Sequence, residues 1–217
     1  MSDWIVTKYL FENFEFVWPR VVEHVTLSGL SLLIALLISL PLGLALSRAQ
    51  RLATPVLVAL GLLYTIPSFA LFAFLVPFAG IGQYPAIVAL SAYALVVLVR
   101  NNMVAFMSVD PAVKEAARGM GMTARQQLFL VQLPLGLPII LAGVRVAAVA
   151  ALSITTIGAA IGAGGLGVLI FEGIRTINGD RIIAGTIVIA ALALAVDRGL
   201  AWWGERLRRD TVTGERG

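Results

Sequence analysis

Long stretches without a charged side chain constrain this sequence more than any other feature. No Asp, Glu, Lys or Arg lies between His24 and Arg48, and none lies between Arg51 and Arg100. A helix needs about 20 apolar residues to cross a bilayer, so the first stretch can hold one span and the second can hold two. With 59% hydrophobic and 13% charged residues, the chain has more apolar surface than a core of this size can bury. The sequence therefore predicts an all-α membrane protein.

Five transmembrane helices are predicted from these stretches and from two further apolar runs. Pro77, the glycines of GIGQYP and Pro85 mark the turn inside the longer stretch. The prolines and glycines of the second and fourth spans provide places where those helices can bend. The predicted spans are 25–46, 55–76, 86–106, 137–161 and 182–203, with the run GAGGLGVLIFEGIRTINGD joining the last two.

The distribution of basic residues predicts the orientation of these spans. All but four of the 16 Lys and Arg residues fall on the side that holds 47–54, 100–136 and the C-terminal end, when Arg145 of the fourth span is counted with that side. Basic residues are enriched in cytoplasmic loops, so we expect the N-terminus outside and the C-terminus inside. The predicted organisation is an extracytoplasmic or interfacial segment (1–24), a transmembrane domain (25–205) with its largest cytoplasmic loop at 107–136, and a cytoplasmic tail (206–217).

That largest loop carries local signals for a helix, a turn and a second helix. Asp110–Pro111 is typical of a helix start, and Gly121 is expected to take the left-handed conformation that ends this helix. Thr123, with a glutamine three residues later, predicts a capping box for a second short helix at about 124–132. Leu133–Pro134 is expected to end that helix before the fourth span. The loop should therefore be compact and rigid.

The same loop resembles the EAA loop of binding-protein-dependent ABC importer permeases, which are type I importers with the MetI-like fold. The motif reads E-A-A, three residues, G, nine residues, an aliphatic residue, one residue, L-P. Its positions here are Glu115, Ala116, Ala117, Gly121, Val131, Leu133 and Pro134. Val131 stands where the family commonly has isoleucine. The segments YTIPSFALFAFLVPFAGIGQYPAIVALSAYALVVLVRN and ITTIGAAIGAGGLGVLIFEGI look like the osmoprotectant branch (glycine betaine, carnitine, choline).

The resemblance implies a permease subunit that imports a quaternary-amine compatible solute through the cytoplasmic (inner) membrane of a bacterium or archaeon. Two permease subunits, identical or paralogous, would form the pathway, and an extracytoplasmic binding protein would deliver the solute. A cytoplasmic ABC ATPase dimer would receive the EAA loops and hydrolyse ATP. The chain has no G-x-x-x-x-G-K-[ST] sequence, so we expect no enzymatic activity in it, no catalytic residue, no cofactor and no nucleic-acid partner.

Three other functions compete with this interpretation. The chain could be an ABC permease for another small solute, such as an amino acid of the methionine type. An ion-coupled secondary transporter would need ionisable groups at mid-membrane, and the first three predicted spans contain no charged side chain there, since Arg100 lies toward the end of the third. An intramembrane enzyme would need a nucleophile with a base, or a metal cluster. The predicted spans contain neither histidine nor lysine, which removes the usual bases.

Two groups of membrane residues are secondary candidates. Tyr64, Ser68 and Tyr93 could line the pathway, since aromatic faces attract quaternary ammonium groups. Packing is the alternative role for these aromatic rings. Arg145 and Asp197, placed near the cytoplasmic ends of the fourth and fifth predicted spans, are expected to form an ion pair that ties the two helices together.

Two further features predict structural rather than chemical roles. The sequence GAGGLG at 162–167 fits G-x-G-x-x-G, but it follows a membrane-length helix and not a strand, so a nucleotide site is not expected. Its glycines should let the chain bend back at the outer surface. His24, the only histidine, is expected to be an interfacial side chain, because no cysteine or second histidine accompanies it. No metal site is predicted.

Overall fold

A computed structural model describes residues 11–213 of the chain, including the side chains of residues 11–206. These residues form helices and no β-strand. The helices are α1 (Phe14–Arg48), α2 (Gln50–Thr65), α3 (Ser68–Ala79), α4 (Gln83–Met107), α5 (Pro111–Gly119), α6 (Ala124–Gln126), α7 (Leu133–Gly158), α8 (Gly167–Arg175) and α9 (Gly179–Thr213). A π-helical segment, Gln127–Gln132, joins α6 to α7, and a 3₁₀ turn, Ala159–Ile161, follows α7. The predicted segments 1–24 and 206–217 lie partly outside the described residues.

Membrane-length helices dominate the described part of the chain. Four helices are long and apolar enough to cross a bilayer there: α1, α4, the continuous helix Ala124–Ile161, and α9 over Gly179–Arg206. The pair α2–α3 could supply a fifth span. Helix α1 begins at Phe14, well before the span predicted at 25–46. The first helix therefore includes the second half of the segment predicted at 1–24. Helix α4 agrees with the predicted run 86–106 to within three residues, whereas α9 begins three residues before the run 182–203 and continues ten residues beyond it, to Thr213.

The helix predicted over 55–76 is broken in the structure. Helices α2 and α3 meet at an angle of 93°. Pro67 disfavours the α conformation of the residue before it, and Ile66 is accordingly extended, with φ −65° and ψ 125°. The Tyr93 hydroxyl of α4 donates a hydrogen bond of 2.6 Å to the Ile66 carbonyl. The break is therefore supported by α4 and is more than a gentle bend.

The bent pair α2–α3 carries the chain from one end of the bundle to the other. Gln50, at the start of α2, lines one cavity together with Phe106 near the end of α4 and Lys114 of α5. Gly82, just before α4, instead donates its N–H to the Ile161 carbonyl after α7, at 2.9 Å. The 25 residues of α4 separate these two places, which corresponds to about 37 Å.

Helix α4 packs between α1 and α7 through small residues. A Cβ atom added to Gly43 of α1 would lie 2.7 Å from Cβ of Asn102, and one added to Gly143 of α7 would lie 2.6 Å from Cβ of Asn101. The Asn102 amide also donates a hydrogen bond to the Ser39 hydroxyl, at 2.9 Å, in a fully buried position. Glycine contacts and side-chain hydrogen bonds of this kind hold membrane helices together.

The predicted helix end at Leu133–Pro134 is wrong. The chain runs on from α6 through the π-helical segment into α7, as one helix of 38 residues. The N–H of Leu133 donates to the Leu128 carbonyl, five residues back. Pro134 has no N–H, so it fits where the π pattern returns to the α pattern without losing a hydrogen bond. Because α7 begins at Leu133, Arg145 lies near the middle of that helix and not near the end that the sequence predicts to be cytoplasmic.

Candidate functional site

The loop at 107–136 has the caps that its sequence predicts. The Asp110 carboxylate accepts a hydrogen bond of 2.8 Å from the Ala112 N–H at the start of α5. Gly121 has φ +76°, the left-handed conformation expected of a residue that ends a helix. The Thr123 N–H donates to Gln126 Oε1 at 2.8 Å, and the Gln126 N–H donates to Thr123 Oγ1 at 3.3 Å. The predicted capping box is thereby confirmed.

Further contacts brace this loop against the membrane helices. Lys114 Nζ donates to the Phe106 carbonyl at 3.0 Å, which fastens α5 to the end of α4. Gln127 Nε2 donates to the Met122 carbonyl at 2.8 Å, which fastens the turn to the π-helical segment. Ala117 is only 1% exposed. The loop is therefore attached to both α4 and α7 and can transmit a displacement to them.

The residues of the EAA motif divide into an exposed group and a supporting group. Glu115, Ala116 and Gly121 lie on the exposed surface of the loop. Ala117 faces the bundle, so only one of the two alanines leaves room for a partner. The remaining motif residues are half-buried in the π-helical segment and the first turn of α7: Val131, Leu133 and Pro134.

The loop also carries exposed apolar side chains, which sequence reasoning missed. Met120 is 69% exposed and Leu130 is 64% exposed, and two further apolar side chains, Val113 and Phe129, are also exposed. The available signal was the presence of large apolar residues in an otherwise polar loop. Apolar and methionine side chains around a few charged groups are typical of protein–protein interfaces.

The predicted ion pair between Arg145 and Asp197 is confirmed. Arg145 Nε donates to Asp197 Oδ1 at 3.0 Å, and one Nη atom of the same arginine donates to both carboxylate oxygens, at 2.8 and 3.0 Å. The pair joins α7 to α9. Its two side chains keep 38% and 30% of their surface exposed, so the packing of this chain does not enclose them.

The three pathway candidates gather at the break between α2 and α3. Tyr93 is only 5% exposed and bonds to the Ile66 carbonyl there. Its ring meets that of Tyr64 edge to face, with centroids 5.8 Å apart. Tyr64 is half exposed, and Ser68 is the first residue of α3. Tyr93 thus has a structural contact, while a pathway role for the three stays a prediction.

His24 is not an interfacial side chain, contrary to the sequence-based expectation. It is fully buried, its Nε2 lies 2.9 Å from the Leu152 carbonyl, and its Nδ1 accepts the Leu166 N–H at 3.3 Å. The neutral ring with its proton on Nε2 satisfies both contacts. The neighbouring Glu23 accepts the Gly165 N–H at 2.8 Å. The ring therefore joins α1, α7 and the glycine-rich connection.

The glycine-rich connection after α7 bends as its sequence predicts. Three of its residues have positive φ: Gly162, Gly164 and Gly165. The chain then enters α8, which leads to α9. The G-x-G-x-x-G pattern here serves the turn and the contact with α1.

Comparison with known families and proteins gives concordant matches. The model of the family described as "Binding-protein-dependent transport system inner membrane component" matches residues 21–209. The chain is 41% identical over 194 residues to the osmoprotectant import permease protein OsmW of Salmonella typhimurium, covering 87% of this chain and 90% of that protein. It is 37% identical over 198 residues to the carnitine transport permease protein OpuCB of Listeria monocytogenes, covering 91% and 90%.

A third relative and two solved structures extend the comparison. The glycine betaine/carnitine/choline transport system permease protein OpuCB of Bacillus subtilis is 36% identical over 179 residues, covering 82% of each chain. A structure of the MetNI methionine ABC transporter, facing inward, superposes with a TM-score of 0.81 at 22% identity, covering 89% of this chain and 97% of that chain. A structure of an amino acid ABC transporter with histidines superposes with a TM-score of 0.73 at 18% sequence identity, covering 91% of this chain and 97% of that chain. At these identities the two structures support the fold alone.

Proposed function

This chain belongs to the family of inner membrane components of binding-protein-dependent transport systems, and on that premise we propose that it is the permease subunit of an ABC importer for a quaternary-amine compatible solute. The fold is that of the all-helical MetI-like type I importer permeases, and the chain is a multi-pass membrane protein. The solute class follows from relatives named for osmoprotectants, carnitine, choline and glycine betaine, at 34–41% identity over most of the chain.

The relatives favour this solute class over the amino-acid alternative. The similarity to the methionine transporter is 22% in sequence, a level at which membrane permeases of one fold carry unrelated solutes. The described residues also contain no group of three or more His, Cys, Asp or Glu side chains that could hold a metal ion.

The EAA loop supplies the docking role in this proposal. The observation that carries it is an exposed Glu115 and an exposed Met120 on one loop, which Lys114 fastens to the end of α4. A separate cytoplasmic ATPase subunit would bind this surface and hydrolyse ATP, and its closure would move α4 and α7 as rigid bodies. A second permease subunit and an extracytoplasmic binding protein complete the proposed importer.

Five membrane crossings, with the N-terminus outside and the C-terminus inside, fit this arrangement. The bent pair α2–α3 starts at one end of α4 and finishes at the other, which supports its acting as a span. The excess of basic residues near the EAA loop supports a cytoplasmic position for that end. We assign the protein to the cytoplasmic membrane of a bacterium or archaeon.

The experiment that tests this function is solute-stimulated ATP hydrolysis by the complete importer in proteoliposomes. The complex contains this permease, its ATPase and its binding protein, and the solutes are glycine betaine, carnitine, choline and methionine. We expect at least one quaternary amine to stimulate hydrolysis and to accumulate in the vesicles, while methionine does neither. Stimulation by methionine alone would contradict the proposed solute class, and the same complex without binding protein is the control.

A further inference from the structure

An open cavity between α7 and α9 is lined in part by the Arg145–Asp197 ion pair. Its volume is about 750 Å³, within the range of about 300–1,000 Å³ that small-molecule sites occupy. Apart from the ion pair, its walls are small or aliphatic. The wall residues are Ala142, Val146, Val149, Ala150, Ala193 and Leu194. The cavity is thus an apolar space with one positive and one negative group.

The position of the ion pair in the membrane is unusual. Arg145 lies 12 residues after the start of α7 at Leu133, about 18 Å along the helix, and is therefore far from either end. Charged side chains facing lipid tails are costly, and those inside membranes usually face a water-filled space or a substrate path. The exposed fractions of 38% and 30% show that the packing of this chain leaves the pair open on one face.

A second cavity continues the first toward the C-terminal end of α9. It has a volume of about 230 Å³, and it shares Ala142 and Arg145 with the first cavity. Its far wall contains Gly204 and Glu205 of α9. Arg145 thus stands where the two cavities meet, and together they follow the groove between α7 and α9 from the middle of the bundle to one end.

We propose that the larger cavity is a transit site for a zwitterionic solute, one that carries a quaternary ammonium group and a carboxylate. The proposal rests on the importer function proposed above and adds a site within this subunit. An Arg–Asp pair has no net charge, so it favours a ligand that likewise has separated opposite charges and none in excess. The solute carboxylate would lie against Arg145 and its ammonium group against Asp197.

The hydrogen bonds of the pair leave room for this arrangement. The bonds from Arg145 to Asp197 use Nε and one Nη atom, so the other Nη atom is not needed to hold the pair together. A quaternary ammonium group has no N–H and needs only proximity to the carboxylate. No aromatic ring lines the cavity, so the site lacks the stacking that makes ammonium binding tight. Weak binding suits a site that must release its solute.

A test fills the cavity without touching the ion pair. In the Ala193→Leu variant, three added carbon atoms occupy space between α7 and α9. Ala195→Leu is the matched control, because Ala195 is exposed on the same helix and does not line the cavity. Uptake of glycine betaine and carnitine is measured in proteoliposomes of the complete importer, with permease level and thermal stability measured in parallel. Ala150→Leu fills the same space from α7 if the first variant assembles poorly.

We expect cavity filling to lower uptake by about tenfold, and to lower carnitine uptake more than that of the smaller glycine betaine. The control should stay within about twofold of the wild type. Equal fractional losses for both solutes, or no loss, would overturn the transit site, since an effect on subunit packing does not depend on the solute. If the wild-type importer transports no quaternary amine, the proposed function fails instead.

The charges are tested by Arg145→Gln beside Arg145→Lys, which retains a positive charge. We expect the glutamine variant to lose about tenfold more glycine betaine uptake than the lysine variant. Within the glutamine variant, choline uptake should fall less than glycine betaine uptake, because choline has no carboxylate. Equal losses of glycine betaine and choline in the glutamine variant would show that the arginine only ties α7 to α9.

Discussion

Gly121 is the residue whose backbone conformation the EAA loop depends on most. Its φ of +76° is unfavourable for any residue with a β-branched side chain, although no atom blocks a Cβ there. We expect Gly121→Val to cost about 1–3 kcal/mol of local strain and to tilt α5 away from the proposed ATPase. Solute-dependent ATP hydrolysis and ATPase retention on membranes should both fall by about tenfold or more.

Gly119→Val is the matched control for that change. Gly119 lies two residues earlier, also has open space around it, and has no positive φ. Because valine has a slightly higher helix propensity than glycine, the control should change the stability of α5 by well under about 1 kcal/mol. Equal solute-dependent ATP hydrolysis and equal ATPase retention in both variants would mean that the left-handed turn is not needed for docking. Insertion of each variant into the membrane is checked first by its abundance in washed membranes.

His24 shows why single residues are hard to assign from sequence. A lone histidine near a predicted helix end gives no local sign of burial. Its partners, Leu152 and Leu166, are 128 and 142 residues away in the chain, and no short pattern predicts contacts at that separation. By contrast, the cap at Asp110 and the conformation of Gly121 depend on near neighbours, and both could be predicted.

At the level of elements, contact between α1 and α4 depends on the absence of a side chain at Gly43. Its hypothetical Cβ would lie 2.7 Å from Cβ of Asn102 and 2.9 Å from the backbone nitrogen of Met103. Because backbone atoms cannot move aside cheaply, Gly43→Ala should force the helices apart. We expect a loss of about 1–3 kcal/mol of stability, measured as a lower midpoint of thermal unfolding in detergent.

Gly29→Ala, on the same helix, separates packing from helix propensity. No atom lies within 4 Å of a Cβ placed at Gly29. Alanine is favoured over glycine within a helix by about 1 kcal/mol, so this control should be neutral or slightly stabilising. If both substitutions moved the unfolding midpoint in the same direction, close packing at Gly43 would not be the cause.

The helices themselves could be predicted in part. Length and hydropathy were sufficient for most of α4 and for the apolar part of α9, because an apolar run of membrane length has few alternatives. The 93° break at Ile66 and the π-helical segment Gln127–Gln132 could not be predicted, although Pro67 and Pro134 were visible. A proline can end a helix, bend it, or be accommodated by a local change from α-helical to π-helical hydrogen bonding. Which of these occurs depends on partners such as Tyr93, which lies on another helix.

At the level of the whole molecule, the crossing of α2–α3 decides the topology. If this pair spans the membrane, Gln50 and the EAA loop lie on one side. If it enters and returns, the chain crosses four times, and those two places lie on opposite sides. Gln50 lines a cavity with Lys114 and Arg118 of α5. Since a bilayer cannot separate residues that line one cavity, the packing favours five crossings.

Cysteine labelling tests this topology directly, because the chain contains no cysteine. Three single variants at exposed positions are needed: Gln50→Cys, Met120→Cys and Ile177→Cys. We expect a membrane-impermeant maleimide to label Ile177→Cys in intact cells, and to label the other two only after permeabilisation. Labelling of Gln50→Cys and Met120→Cys from opposite sides would indicate four crossings. If Gln50→Cys and Met120→Cys were both labelled in intact cells and Ile177→Cys only after permeabilisation, the proposed orientation would be contradicted, and the EAA loop could not contact a cytoplasmic ATPase.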